Sequence, residues 1–443
     1  ASAWPAARPD PEAERITSDE TRALPRPTNA SQRPPSTYER PALEGDEQPG
    51  TENAEADRPS PSDRPARWRA AQQRPPQGAE AELRTRFTGG DVESGLTLGQ
   101  RLLDEGRARE AVAPLLRVVR SEPWRAEAIR ALQRASEASR SVAIASVCAT
   151  LRSLFDRREA APEPLRLRAW SDFVGSPRKL ISPAPSPWLE ALGVLWEGGS
   201  TLFQRSLDDL GLGSATPVSL SDQRPSAQVL ATASSLLGTE HVGLRVLGQG
   251  AGIEVVPTEP PVVVFAVAEE RERSDLLAFR LGRAFELARA PHVLLATQAP
   301  DTLETLLAAL DVAFGRPIGS VPREVGARAS ELWSALPPKA QMRLRALLAE
   351  APPVPSLEAL TKEVAEAGAR AGFLLEGSLL RGLQALAFDD PNLDRRALAS
   401  EEGYAATLRQ HAPFRALVRA ALSDAHLAAR APLLRASIAP RAH

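Results

Sequence analysis

A chain folds only where it has apolar surface to bury, and this one begins with almost none. From Ala1 to Glu80 the only aliphatic residues larger than alanine are Ile16, Leu24 and Leu43, and 14 prolines fall within residues 1–88. Burial on that scale does not offset the entropy of ordering a backbone. Residues 1–88 are therefore expected to form a disordered, Pro-rich tether. The stretches RPPS and QRPPQ favour extended, polyproline-like structure within it. A spacer is the reading this composition favours, with a docking motif as the alternative.

The rest of the 443 residues is long enough for two or three domains, and 43% of the chain is hydrophobic. The formal net charge is -2, so no global field draws the protein to nucleic acid or to an anionic membrane. No run of apolar residues is long enough to span a bilayer. No basic-then-apolar signal pattern opens the chain, which points to a cytoplasmic location. It starts at Ala1 rather than methionine, so it reads as processed or as part of something longer. Cys148 is the single cysteine, which excludes an intrachain disulfide and a cysteine-based zinc site. It lies in an Ala/Val-rich helical run and is expected to be a small buried helix residue.

Order is expected to begin near Gly90. The stretch LGQRLLDEGRAREAVAPLLRVVRSEPWRAEAIRAL has Leu98 and Gly99 in a first helix and Gly106 in a turn. Ala111 is the small residue that lets a second helix approach, Leu115 lies one turn on along the same face, and Pro123 closes the unit. This pattern resembles a tetratricopeptide repeat, a helical hairpin with a period of about 34 residues. Ile129, Leu132 and Ala145 continue it, with Arg157 where a closing proline would fall. The resemblance covers about 92–159, within an expected repeat domain at 89–160. It implies either a peptide-binding concave face or a pair of hairpins that docks onto the rest of the chain. About three units are needed for such repeats to stand alone, so a neighbouring domain should cap them, or they cap a longer array.

Residues 160–190 are proline-punctuated and mark a boundary. A helix is expected from Pro187 to about Leu210, and another over SAQVLATASSLLG. HVGLRVLG and GIEVVPTEPPVVVFAV supply two or three strands, and GQGAG at 248–252 reads as a hairpin turn between strands. It does not read as a phosphate loop, because no helix follows it. Helices are then expected at about 272–289, 300–313, 327–336, 338–350, 356–374, 376–388 and 398–428. Helices, a short sheet and helices again define an α+β fold, mostly helical, with 161–443 as its second domain.

The segment PVVVFAVAEERERSDLLAFRLGRAFELARAPH looks like a strand, an acidic loop and a helix. It resembles the gluzincin metallopeptidases, in particular the CAAX-type and heat-shock membrane peptidases and their soluble bacterial relatives. In those enzymes two histidines four residues apart hold zinc, and a glutamate between them activates water. Here Phe279, Arg280, Leu281, Gly282 and Arg283 occupy that motif. AEAGARAGFLLEGSLLRGLQAL resembles the helix of the third ligand, with Ala365 at the ligand position and Gly368 to Gly372 where relatives carry Ala-Asp-Arg-Ala-Gly. The resemblance spans roughly 186–390 and implies a zincin-like domain without its chemistry. A phenylalanine binds no zinc, and arginines repel a cation. The alternative is an unrelated α+β domain with an ordinary amphipathic helix.

No catalytic residue, metal ligand or cofactor is expected. The histidines His241, His292, His411, His426 and His443 show no metal-ligand spacing. His292 reads as a cation at a helix end, and Asp389-Asp390 as a helix-ending loop. No Gly-x-Ser-x-Gly elbow occurs. Arg280 and Arg283 either bind a small anion in the old cleft or pair with Glu269, Glu270, Glu272 or Glu286. The function expected is protein–protein interaction or scaffolding, with a protein partner and a possible place in a larger assembly. A hydrolase with a spatially assembled site and a small-anion sensor are the alternatives.

Overall fold

The computed structural model describes residues 78–156, 177–182, 184, 186–315, 319, 321–390, 393 and 397–428. The chain divides into two units, Ala1–Pro75 and Pro76–His443. The first lies outside the described residues, as do most of the expected tether and the 160–176 part of the expected boundary. At its C-terminal end the tether expectation is corrected, because Gly78–Thr88 is a helix, α1. Its Phe87 packs over Gly95 in the next helix, and a side chain on Gly95 would strike that ring.

Two hairpins follow: α2 (Val92–Asp104) with α3 (Ala108–Ser121), and α4 (Ala126–Ala138) with α5 (Val142–Phe155). Every boundary of the second pair lies 34 residues after that of the first (92 to 126, 104 to 138, 108 to 142, 121 to 155). The turn hydrogen bonds repeat at the same offset. Arg107 N donates to Leu102 O at 2.7 Å, and Ser141 N donates to Ser136 O at 2.7 Å. Gly106 has φ +74, and Arg140, at the matching position, is held at φ 60. Gly99 has no room for a side chain because Leu115 of α3 lies against it. Ala111 and Leu115 are fully buried.

The second part opens with α6 (Pro177–Ile181) and α7 (Pro187–Gly199). The latter ends at the Gly198–Gly199 pair and a 3-10 turn, short of the expected Leu210. A two-residue strand β1 (Thr216–Pro217) and α8 (Pro225–Leu237) lead into β2 (Gly243–Leu247), β3 (Ile253–Val256) and β4 (Val262–Ala266). The sheet order is β1-β2-β4-β3. β4 runs parallel to β2 and antiparallel to β3. The expected hairpin at 248–252 is therefore corrected: β4 lies between β2 and β3, and the glycine loop crosses over it. The reason is burial. Val263 and Phe265 of β4 pack with α8 and with Leu277, Leu281 and Phe285 beyond the sheet, while Val262 and Val264 pack with the 207–215 segment. A strand buried on both faces belongs in the middle of a sheet.

Beyond the sheet come α9 (Val267–Glu272), α10 (Ser274–Leu287), α11 (Ala290–Thr297), α12 (Pro300–Phe314), α13 (Arg323–Ala335) and α14 (Pro338–Ala349). Last are α15 (Leu357–Glu376), α16 (Leu379–Asp389), α17 (Glu401–Gln410) and α18 (Ala412–Ala421). The single helix expected over 398–428 is broken at His411, where Pro413 starts a new helix instead of continuing the old one. The described part is mostly helical with a small four-stranded sheet.

One hydrophobic cluster runs from Leu96 of α2 to Leu422 beyond α18, across the expected junction near residue 160. Polar contacts seal the same seam. Arg120 donates to Leu422 O at 2.6 and 2.8 Å, Arg419 donates to Arg120 O and Ser121 O at 2.9 Å, and Tyr404 Oη donates to Pro123 O at 3.0 Å. The hairpins are thus packed onto the C-terminal helices through four backbone carbonyls and a shared core.

Candidate functional site

Helix α10 carries the residues at the peptidase-motif positions. Its apolar stripe of Leu277, Leu281 and Phe285 packs beneath the sheet. Its other side lies against α15 with almost no side chain between. A methyl group on Gly282 would sit 3.0 Å from Gly372 Cα, and one on Gly372 would sit 2.5 Å from Phe279 O. Gly368 leaves room for the stem of Arg283. The Leu-Gly pair and the Gly-Ala-Arg-Ala-Gly run are thus two halves of one close helix crossing.

Phe279 is fully buried, packed against Gly372 and Gly382 in the same core as the hairpins. Arg280 is 8% exposed. Its Nε donates to Asp389 Oδ1 at 2.7 Å, and its Nη1 donates to Glu269, which is 1% exposed. Glu269 also accepts from Gly252 N at 2.8 Å and from Arg273 at 3.1 Å. The Phe388 ring lies under both guanidinium groups, 4.4 Å from Arg273 and 5.1 Å from Arg280. Arg283 reaches the other oxygen of Asp389 at 3.4 Å, a long contact, and its Nε is buried with no hydrogen-bond partner.

Of the carboxylates expected to pair with these arginines, Glu269 does so. Glu270 instead accepts from Arg224 and Ser226, and Glu286 accepts from Arg178 and His292. Asp389 was missed as a partner. It is the last residue of α16, and no local pattern connects it with Arg280, which lies 109 positions earlier.

His292 does not lie at a helix C-terminus. It sits in the first turn of α11, 2% exposed, with Nδ1 3.1 Å from the Glu286 carboxylate. Burial raises the Glu286 pKa, but the bonds from Arg178 and His292 outweigh it and hold the group down to about 2. His411 caps α18: its Nδ1 accepts from Phe414 N at 3.1 Å. Its Nε2 lies 3.2 Å from Asp390 Oδ2. Burial lowers its pKa, with Asp390 pulling the other way. In the neutral ring Nδ1 accepts, so Nε2 carries the proton and donates to Asp390. Both nitrogens are engaged, which leaves none to act as a base. His426 is buried with its ring 4.9 Å from that of Phe373. His241 is exposed, and His443 lies outside the described residues.

Among the described residues no three His, Cys, Asp or Glu side chains gather to hold a metal ion. None of the described helices is long and apolar enough to cross a membrane. Cys148 is fully buried in α5, and burial pushes its thiol pKa far up. Two cavities flank the α10–α16 region. One, of about 660 Å³, lies between α5, α10 and α16 and is lined by Leu154, Leu276, Leu380 and Leu383. The other, of about 400 Å³, is polar and is lined by Arg283, Asp389, Asp390, Gln410 and His411. Comparison with protein-family models, with curated proteins and with solved structures finds no match.

Proposed function

We propose that this chain is a non-catalytic protein–protein interaction or scaffolding protein. Its tetratricopeptide-like hairpins are mounted on a zincin-like domain that carries no chemistry. One observation carries the reading: the positions where the resembled peptidases hold metal and move protons are spent here on packing and internal ion pairs. Phe279 is core, and Arg280 is neutralised by Glu269 and Asp389. A small anion held between Arg280 and Arg283 is the less favoured reading, because Arg280 is already paired on two sides.

The test is an affinity capture from native lysate with the full chain as bait. Cutting the hairpins away would expose the shared core, so surface substitutions take the place of truncation. Gln100 and Arg134 lie on the first helix of each hairpin, 34 positions apart (100 to 134), with Arg134 exposed. A Gln100→Lys, Arg134→Glu double variant should lose the partner if the hairpins recognise it. Turnover of peptides, or stoichiometric zinc in the purified protein, would sink the non-catalytic reading.

A further inference from the structure

Helix α14 buries Ala340, Leu344 and Leu348 in the core it shares with α7 and α12, so its opposite face looks outward. Along that face stand Lys339, Met342, Arg343 and Ala346, with Arg345 at its edge, and all five are exposed. Spacings of three and four residues make them one stripe. Trp333 of α13, 39% exposed, adjoins it. Gln341 donates to Trp333 O at 2.8 Å, and the Arg345 guanidinium lies 4.5 Å from the Trp333 ring centroid. We propose that this surface docks an acidic segment of a partner protein, one that carries an apolar anchor among its carboxylates.

Charge and exposure together carry the inference. Helix α14 holds Lys339, Arg343 and Arg345 and no acidic residue, in a chain whose formal net charge is -2. Its neighbours neutralise little of that charge. Lys339 forms no ion pair among the described residues. Arg343 reaches Glu197 at 3.4 Å with both side chains 59% exposed, and a surface pair of that kind contributes little. Glu331 of α13 is taken by Arg328 at 2.5 Å. Met342, the one methionine of the sequence, is 66% exposed, more than any other large apolar side chain among the described residues. A flexible thioether set among cations gives an adaptable apolar contact, while the cations select the sign of the partner. A bilayer fits this surface worse. The apolar side of α14 already faces the core, and Phe314 stacks on Trp333 at 5.4 Å with Arg345 over the same ring, so neither is free to enter hydrocarbon. The proposal rests on the interaction reading above and gives that interaction a surface of its own, apart from the hairpins.

The experiment titrates the full chain, methyl-labelled at methionine, with a synthetic peptide of about 15 residues built from glutamate and leucine. Controls are the same peptide with lysine for glutamate, the same peptide with serine for leucine, and phosphatidylserine vesicles. Calorimetry reads affinity, and the single Met342 methyl resonance in NMR reports the location. The glutamate–leucine peptide should bind with a Kd of about 100 μM or tighter, shift the Met342 signal, and exceed both control peptides by at least about tenfold. Raising the salt from about 50 to about 500 mM should weaken it. Arg343→Glu and Met342→Ser, read by calorimetry, should each weaken it by at least about fivefold. Both replace exposed side chains and leave the core under α14 untouched. Gln100→Lys, Arg134→Glu should leave peptide binding unchanged. No binding up to about 1 mM would overturn the proposal, as would an unmoved Met342 signal. So would binding unchanged in both α14 variants, or a lysine peptide or vesicles bound as tightly. Peptide binding lost in the hairpin variant alone would overturn it while leaving the interaction reading in place, whereas bound zinc or peptide turnover would sink that reading itself.

Discussion

Replacing Arg280 with methionine separates a structural arginine from a ligand-binding one. The substitution keeps the apolar stem over Phe388 and deletes the guanidinium. Glu269 then stays buried at 1% exposure with Gly252 N and Arg273 as its remaining donors, and Asp389 Oδ1 loses its 2.7 Å bond. Breaking a buried ion pair costs about 3–5 kcal/mol when the stranded charge has no other partner. Two donors remain on Glu269, so the expected loss is smaller, about 2–4 kcal/mol. A second substitution, Glu269→Gln, removes the stranded charge while leaving an oxygen for Gly252 N. It should restore about 1–2 kcal/mol in the Arg280→Met background. Equilibrium urea unfolding measures both, with stability read from the midpoint at an unchanged slope. An arginine kept for a ligand is poorly satisfied without it, so its removal is neutral or stabilising in the free protein. An Arg280→Met variant as stable as the parent would therefore refute the assignment of Arg280 to internal packing.

Further outcomes follow from single positions. Arg140 is exposed, makes no ion pair among the described residues, and is held at φ 60 where the preceding hairpin uses Gly106. Arg140→Gly should thus stabilise the protein by about 0.5–1 kcal/mol in urea unfolding, the left-handed strain outweighing the added chain entropy. Glu286 is held down to about 2 in the folded state against an ordinary 4.5. Its stabilisation, about 3 kcal/mol, is present above pH 4.5 and is lost as the pH falls through 2, so Glu286→Gln should flatten the acid limb of a pH–stability curve. Cys148 should show no reaction with a thiol reagent in the native protein and one equivalent after denaturation; rapid native reaction would contradict its burial. His411→Asn keeps an N-cap for α18 without a titrating ring. Because burial lowers the folded pKa of His411, the parent should lose stability as the pH falls below about 6.5 and the variant should not.

What the sequence disclosed was local, and what it hid was long-range or turned on proline. The hairpins were legible because Leu98, Gly99, Gly106, Ala111 and Leu115 act within one short stretch, each through a neighbour a turn or a helix away. The helix expected at about 272–289 was legible for the same reason. Proline misled twice. Pro291 and Pro413 each sit in the first turn of a helix, a place where the missing N–H costs nothing, so α11 was overlooked and α17 and α18 were merged. The loop at 248–252 has turn composition, but pairing was decided by the all-apolar run of β4, which has no solvent face to offer. Asp389 as partner to Arg280 and Arg283 had no sequence signal at all, because α10 and the end of α16 meet only after α15 has returned the chain across the crossing.

The crossing itself accounts for the Leu281-Gly282 pair and the run from Gly368 to Gly372 by packing alone. Gly282 and Gly372 are required by geometry, since each lies within reach of the partner helix's backbone and a methyl group on either would push the helices apart. Phe279 presents its carbonyl to Gly372 and its ring to Gly382, so position 279 is fixed by packing on both sides. Charged groups buried beside such a crossing are tolerated where they satisfy one another. Arg280 with Glu269 and Asp389 does that by drawing the glycine loop after β2, the start of α9 and the end of α16 to one guanidinium. Arg283, one turn along α10, keeps its Nε buried without a hydrogen-bond partner.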